Sequence, residues 1–401
     1  MMINSKVVNN LRNEYGEAFY LLDSKQFENN FHELKKAFSD VYPNFNIAYS
    51  YKTNYIPKLC KIVDKLNGYA EVVSEMELEL ALKCGVDPTH IIWNGPIKSE
   101  KVLDKFLDDC GTVNVDSIDE LEYICKIEDK INHKINIGIR CNYDVEDEVV
   151  SRFGFDVNGQ DFVKALNIIH ESKYMKLINI QCHFAKRSVE YWPSRAMGMI
   201  EIIERFGITP ERIDIGGGIY GKMPESLEKQ FPVAIPKYED YANAAARVFA
   251  DYFRDKEYKP ELVVEPGTAL VADCMKFVGT IKTIKNIRGK YFASILGSQK
   301  NINMSGVNPP IKVIHMGNGE CYSDIDIVGY TCIEGDVLYK GYSGELAKGD
   351  AIVFSNCGSY SIVMKPPFIL PNFPILDICG ETTEVIKRGE CFKDIFATYN
   401  L

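Results

Sequence analysis

The run Phe45-Asn46-Ile47-Ala48-Tyr49-Ser50-Tyr51-Lys52-Thr53-Asn54 decides how the chain is read. Ile47, Tyr49 and Tyr51 alternate as in a strand, which ends on a lysine. Thr53-Asn54 then breaks it, and a helix opens near Ile56-Pro57. An ammonium group at the carboxyl end of a buried strand is costly unless its charge is paired or lost. Partial burial lowers an ammonium pKa, and a neutral amine is what Schiff-base chemistry needs. The competing reading is a lysine that leaves the sheet for water, and position alone favours it. The flanking sequence has to decide.

Toward the amino terminus, residues 15–23 read as a turn and a strand, and Phe27, Phe31, Leu34 and Phe38 set a helical period. On the other side comes a helix carrying Leu59, Ile62, Val63 and Leu66, then a strand over 69–73. Ser74 with Glu77 three residues on predicts a capping box for a helix that stops at Cys84-Gly85. Further strands are predicted at 89–93, 112–115, 135–140, 177–183, 212–215 and 261–265, with helical patterns between them. Strand and helix thus alternate about eight times between residues 45 and 267, which favours a (β/α)8 barrel over a doubly wound sheet.

After residue 268 the rhythm changes. Short strands at 275–284, 291–296, 311–315, 326–328 and 351–355, separated by Gly, Asn and Asp, predict an antiparallel β domain. The strand near 19–22 falls outside the barrel count and is assigned to that second domain. The expected organisation is therefore an α/β barrel over 24–267 and a β-sandwich or β-barrel-like domain from 1–23 and 268–401.

Composition removes several function classes. A formal net charge of −10 with no Lys/Arg-rich run argues against nucleic acid as a partner. The amino terminus lacks the apolar core of a signal peptide, and no apolar run reaches membrane length. Twelve scattered cysteines with no CxxC pair point to reduced thiols in the cytoplasm. Six histidines without a close pair make a protein-built metal site improbable, and with it a metal-dependent barrel hydrolase.

Barrel enzymes carry their reactive groups at the carboxyl ends of the strands. Polar residues stand at those predicted ends: Lys52, Glu71, Asn94, Asp116, Arg140, His183, Gly216 to Gly218, and Glu265. Gly216-Gly217-Gly218 is the phosphate candidate, because glycine backbone N–H groups can approach an anion closely; a tight turn explains it equally well. Glu265 follows two apolar residues, so it should be held deep, where a carboxylate can pair with a protonated ring nitrogen or with a core cation. His183 offers a flat ring for an aromatic cofactor, although a lone histidine is more often a satisfied core residue. Cys332 taken alone reads as a buried thiol.

Together these stretches make the chain resemble the fold-type III pyridoxal-phosphate decarboxylases, the group of the diaminopimelate, ornithine and arginine decarboxylases. The resemblance runs through Tyr49-Ser50-Tyr51-Lys52-Thr53-Asn54, Glu71 to Leu78, Asn114-Val115-Asp116-Ser117, Ser151-Arg152-Phe153-Gly154 and Cys182-His183-Phe184. It continues through Asp214 to Gly218, Glu265-Pro266-Gly267, Cys332 to Asp336 and Asn356 to Tyr360, nearly the whole chain in order. It implies an alanine racemase/ornithine decarboxylase-like fold and pyridoxal 5'-phosphate as cofactor. By position, Lys52 would be the Schiff-base lysine, Glu265 would keep the pyridine nitrogen protonated, and His183 would stack on the ring. The Gly216-Gly217-Gly218 backbone and the Tyr360 hydroxyl would hold the phosphate, with Glu71 and Gly267 also among the cofactor-binding residues. Cys332 would come from the second subunit of a homodimer and return a proton to Cα.

Two departures concern the substrate. The family usually follows Glu-Pro-Gly with an arginine; here Thr268 stands there, so a bidentate clamp is missing. The residue after the cysteine is commonly acidic and reads a distal amine; here it is Ile333, with Glu334 one place later and able to turn inward by a slip of one residue. With Asp336, these positions are the expected substrate contacts. They predict an amino-acid substrate whose side chain is acylated, conjugated or otherwise lacks the usual distal ammonium. An epimerase on the same fold and a non-catalytic decarboxylase-like regulator are the alternatives. The Cys332 stretch favours decarboxylation over the first, and the retained Lys52, His183, glycine loop, Glu265, Cys332 and Tyr360 argue against the second. The proline-rich run Met364 to Pro374 excludes a helix and predicts an extended loop, either near the site or wrapping Phe368 and Phe373 onto the barrel.

Overall fold

The computed structural model describes residues 3–304, 306–379 and 382–401; Met1 and Met2 of the amino-terminal stretch lie outside them. The chain forms two compact units. One comprises Glu28–Tyr220 and Ile235–Ala269; the other takes the residues up to Phe27, Gly221–Ala234 and Leu270–Leu401.

The first unit is a closed parallel barrel. Its eight strands are Phe45–Ser50, Tyr69–Val72, Ile91–Trp93, Thr112–Val115, Ile135–Asn142, Met175–Gln181, Arg212–Asp214 and Glu261–Val264. Each pairs in parallel with its neighbours, and the ring closes where Leu262 lies beside Phe45. Such strands are covered on both faces, which explains why Phe45–Ser50 is buried at every position, asparagine and serine included. The helices between them are set by local chemistry. The Ser74 hydroxyl accepts the Glu77 N–H at 3.2 Å and opens Glu75–Cys84, which Gly85 ends in the left-handed region.

The second unit is mixed rather than purely antiparallel. Phe19–Leu22 pairs antiparallel with Met275–Ile287 but parallel with Ile375–Cys379, and Lys290–Ile295 pairs parallel with Glu320–Val328. The antiparallel expectation came from short strands between turns, a pattern that favours hairpins. Here one parallel pair joins segments from opposite ends of the sequence, which no local signal encodes. The strands Val337–Leu346, Ile375–Cys379 and Thr382–Lys387 were not expected, nor was the helix Ser5–Tyr15. That helix is mostly polar; Asn4 caps it, and only Val8 and Leu11 enter the core with Phe19, Leu21, Val278, Val353 and Leu376.

The proline-rich run forms no helix. Phe373 packs on Phe277 and Tyr330 of its own unit, with ring centroids 5.7 and 6.3 Å away, and Phe368 is left half exposed. Among the described residues, no helix is long and apolar enough to cross a membrane.

Candidate active site

The barrel strands deliver a connected cluster of polar groups. Lys52 sits in the single helical turn Tyr51–Thr53 that follows the first barrel strand. Its Nζ lies 2.6 Å from Oε2 of Glu71; the lysine side chain is 35% exposed and the glutamate fully buried. Glu71 also accepts hydrogen bonds from the Ser50 hydroxyl and, at 3.0 Å, from Asn94 Nδ2. Burial pushes this carboxyl toward the protonated form, but the Lys52 charge and these donors outweigh it, and Glu71 is held as an anion below its ordinary pKa.

Glu265 is buried just past the last barrel strand. It accepts from Asn94 Nδ2 at 2.5 Å and from Gln181 Nε2 at 3.3 Å on both oxygens. Asp214, at the end of the neighbouring strand, lies close enough for the two carboxyl groups to act on each other's charge. Burial first, and then the charge of Glu265, push Asp214 far above the usual carboxylate range. Its Oδ1 accepts the Gly216 N–H at 2.9 Å, while the buried Oδ2 has no donor. Glu265 is well supplied with N–H donors and Asp214 is not. The proton of the pair therefore belongs on Asp214, which leaves Glu265 the anion.

His183 accepts the Gly217 N–H on Nδ1 at 3.0 Å, so the neutral ring carries its proton on Nε2. Burial, followed by the charges of Lys52, Arg140 and Arg195, pushes its pKa well below the ordinary histidine value. Gly216 and Gly218 have φ of +72° and +97°. A Cβ on Gly216 would lie 2.3 Å from Cys182 O, and one on Gly217 would lie 2.4 Å from Glu265 O. The loop is glycine because strand ends crowd it from two sides. Gly267 is equally confined: a Cβ there would lie 1.9 Å from Thr53 Oγ1. Thr268, half-buried, opens the short turn Thr268–Val271.

The remaining expected residues stand in the second unit. Cys332, Ile333 and Glu334 are exposed, which corrects the expectation of a buried thiol. The reason is Asp336, whose carboxylate accepts from Thr331 Oγ1 at 2.6 Å, Thr331 N at 3.3 Å and Gln299 N at 2.7 Å. Those bonds tie both ends of the turn and leave its tip in solvent. Tyr360 is half-buried with φ of +60°.

Two further residues support the site, and of these Arg195 was passed over in the sequence. Arg195 is fully buried, and its guanidinium donates to Gly217 O at 2.8 Å and Lys186 O at 2.6 Å while lying over Trp192. It pins the glycine loop from behind. The available signal was its place on the apolar stripe Trp192, Ala196, Met199 and Ile203, where a surface arginine does not belong. Asn94 was visible as a polar strand end, but its bridge between two carboxylates was not.

The donor set fits pyridoxal 5'-phosphate: an amine for the aldehyde, a buried anion for a protonated ring nitrogen, a flat neutral imidazole, and a glycine loop with no room for side chains. These features define a barrel enzyme built for that cofactor. The family pattern described as "Pyridoxal-dependent decarboxylase, pyridoxal binding domain" matches residues 25–272, and the chain belongs to this family. It is a pyridoxal-phosphate-dependent carboxy-lyase acting on an amino acid. The chain is 25% identical to the diaminopimelate decarboxylase of Methanocaldococcus jannaschii over 413 residues, covering 96% of this chain and 92% of that one. It is 26% identical to the Aquifex aeolicus diaminopimelate decarboxylase, covering 91% and 87%. Among solved structures, diaminopimelate decarboxylase from M. jannaschii superposes with a TM-score of 0.87 at 23% identity, covering 98% of this chain and 94% of that one. The arginine decarboxylase of Paramecium bursaria Chlorella virus gives 0.76 at 20%, covering 94% and 100%. At these identities the superpositions speak for the fold.

Proposed function

We propose that the substrate is an amino acid whose side chain is acylated, conjugated or otherwise lacks a free distal ammonium. The observation that carries this reading is a cavity of about 230 Å³ beside Ile333, lined also by Tyr330, Pro366, Phe368 and Lys365. An ammonium group desolvated there would face isoleucine, phenylalanine and a lysine of its own sign, at a cost of several kcal/mol. Asp336 also lines this cavity, but its carboxylate already accepts from Thr331 and Gln299. Thr268 offers one hydroxyl where related enzymes usually have an arginine, so a second charged clamp is missing as well. Glu334 points to solvent at the edge of this region.

In the same reading Lys52 would hold the cofactor through its amine, which Glu71 orients. The Gly216 to Gly218 backbone and the Tyr360 hydroxyl hold the phosphate, and His183 presents its uncharged ring. Glu265 would favour the protonated form of the pyridine nitrogen. When bound, pyridoxal phosphate supplies an electron sink for the pair left on Cα as CO2 departs. Cys332, from a second copy of the chain, returns a proton to Cα. The working unit is then a homodimer. Eleven free cysteines among the described residues fit a reducing, cytoplasmic setting.

The test is a substrate panel scored by CO2 and amine released one to one, with Lys52→Ala as blank. Turnover is expected with side-chain-acylated diamino acids or uncharged analogues. Efficient turnover of free ornithine, lysine or diaminopimelate overturns the substrate class. Wild-type turnover by Lys52→Ala overturns the assignment of roles.

A further inference from the structure

Three asparagines form a buried hydrogen-bonded row inside the barrel. Asn179 Nδ2 donates to Asn114 Oδ1 at 2.8 Å, and Asn114 Nδ2 donates to Asn94 Oδ1 at 2.7 Å. The row ends on two carboxylates: Asn94 Nδ2 donates to Glu71 Oε1 at 3.0 Å and to Glu265 Oε1 at 2.5 Å. Every link runs in the same sense, so each amide fixes the orientation of the next. Because Asn94 Oδ1 is taken by Asn114, its amino group can face only the acids. Donors aligned in a low-dielectric interior also polarise one another.

A second observation shows that the barrel is built around this row. The strand between those of Asn114 and Asn179 presents Gly138 at the crossing, in register with both. A Cβ there would lie 1.7 Å from Asn114 Oδ1 and 3.0 Å from Asn179 Cβ. The row passes where the strand has no side chain. Such an arrangement costs core packing, and a barrel interior is otherwise filled with branched apolar side chains.

We propose that Asn94 is a positioning residue whose single amino group is shared between Glu71 and Glu265, holding both as anions in fixed orientation, with Asn114 and Asn179 setting its direction. The inference rests on the roles proposed above for Lys52, Glu71 and Glu265. Two like charges at one site repel, and a neutral amide with one N–H for each lowers that repulsion without cancelling either charge. The charge count agrees. Lys52 pairs with Glu71, Asp214 takes the proton, and both Nη atoms of Arg195 donate to carbonyl oxygens, so among the described residues no cation forms an ion pair with Glu265, and a protonated ring nitrogen would supply one.

The test compares Asn94→Asp with Asn94→Ala. Aspartate keeps the size of asparagine but replaces its donors with acceptors; alanine removes both bulk and donors. Affinity for pyridoxal phosphate is measured on cofactor-free protein by equilibrium binding between pH 6 and 8, with melting of the same protein followed in parallel. Asn94→Asp should lose about tenfold or more in affinity at pH 8, exceed the loss in Asn94→Ala, and recover toward pH 6 as the new carboxyl gains a proton it can donate. Asn114→Ala, which frees the direction of the Asn94 amide, should weaken binding less and without that pH recovery; it stands in if either Asn94 variant fails to fold. Affinity of Asn94→Asp within threefold of wild type across the range overturns the proposal. So does a larger loss in Asn94→Ala that follows its melting temperature, since that is the signature of space filling. If Asn114→Ala has to stand in, unchanged affinity overturns it. Lys52→Ala separates the two levels: wild-type binding in that variant defeats the reading of the site, whatever Asn94 does.

Discussion

Glu77 shows what a buried carboxylate costs when it lacks a cation. It lies in the first turn of the Glu75–Cys84 helix, 5% exposed, and its Oε2 accepts the Val73 N–H at 2.7 Å. The predicted capping box is therefore half realised: Ser74 accepts from Glu77, but the glutamate reaches one residue past Ser74 for its donor. Burial pushes its pKa up to about 7, against the Val73 hydrogen bond, and the Glu71 charge adds to the rise. The sign follows directly. A folded-state pKa above the unfolded value of 4.5 means that the folded chain holds this proton more tightly. The stability it contributes is complete below 4.5 and is lost as pH rises through 7. Glu77→Gln keeps an acceptor for Val73 and removes the titration. Urea unfolding of the cofactor-free protein should show the variant gaining on wild type from pH 5 to pH 8 by roughly 2.5 kcal/mol. A gap independent of pH would remove Glu77 from the account.

Two turns meet beneath Lys52. Ser50 donates its N–H to Pro266 O at 3.2 Å, and Gly267 presses on Thr53, leaving no room for a Cβ. Gly267→Ala must displace the Tyr51–Thr53 turn that carries the lysine. The expected cost is about 1–3 kcal/mol of stability, with a fall in the absorbance of bound cofactor. Thr53→Gly in the same chain should restore part of both, because the clash is between those two residues. Additive losses would show that the turns are not coupled. The elements of the barrel were legible because each strand is a short, mainly apolar run with a polar residue at or just past its end, so type, order and site positions read together. Ser5–Tyr15 and Val337–Leu346 were not, because the first has a thin apolar stripe and the second is interrupted by Gly341 and Gly344. The site was legible where identity alone carries chemistry, as at Lys52, Glu265 and the glycines. Arg195 and the asparagine row were not, since their meaning lies in which strand or loop they face across the barrel.

At the scale of the molecule, the question is whether one chain holds a complete site. The barrel supplies an amine, anions, a neutral imidazole and a glycine loop, while the thiol proposed to return the proton stands exposed at the tip of the Thr331–Asp336 turn. An exposed thiol on a turn pinned at both ends is suited to enter a second copy, because ordering the tip on docking costs little further entropy. Lys52→Ala and Cys332→Ala are each expected to be nearly inactive alone. Mixed under conditions that let subunits exchange, they should form half heterodimers, each with one wild-type site and one doubly defective site. Activity should then rise to about a quarter of wild type, and fall again on dilution into the range where the dimer dissociates. A mixture that stays as inactive as its parents, while mass measurement shows that heterodimers have formed, would place the whole site within one chain and remove Cys332 from its partner's chemistry.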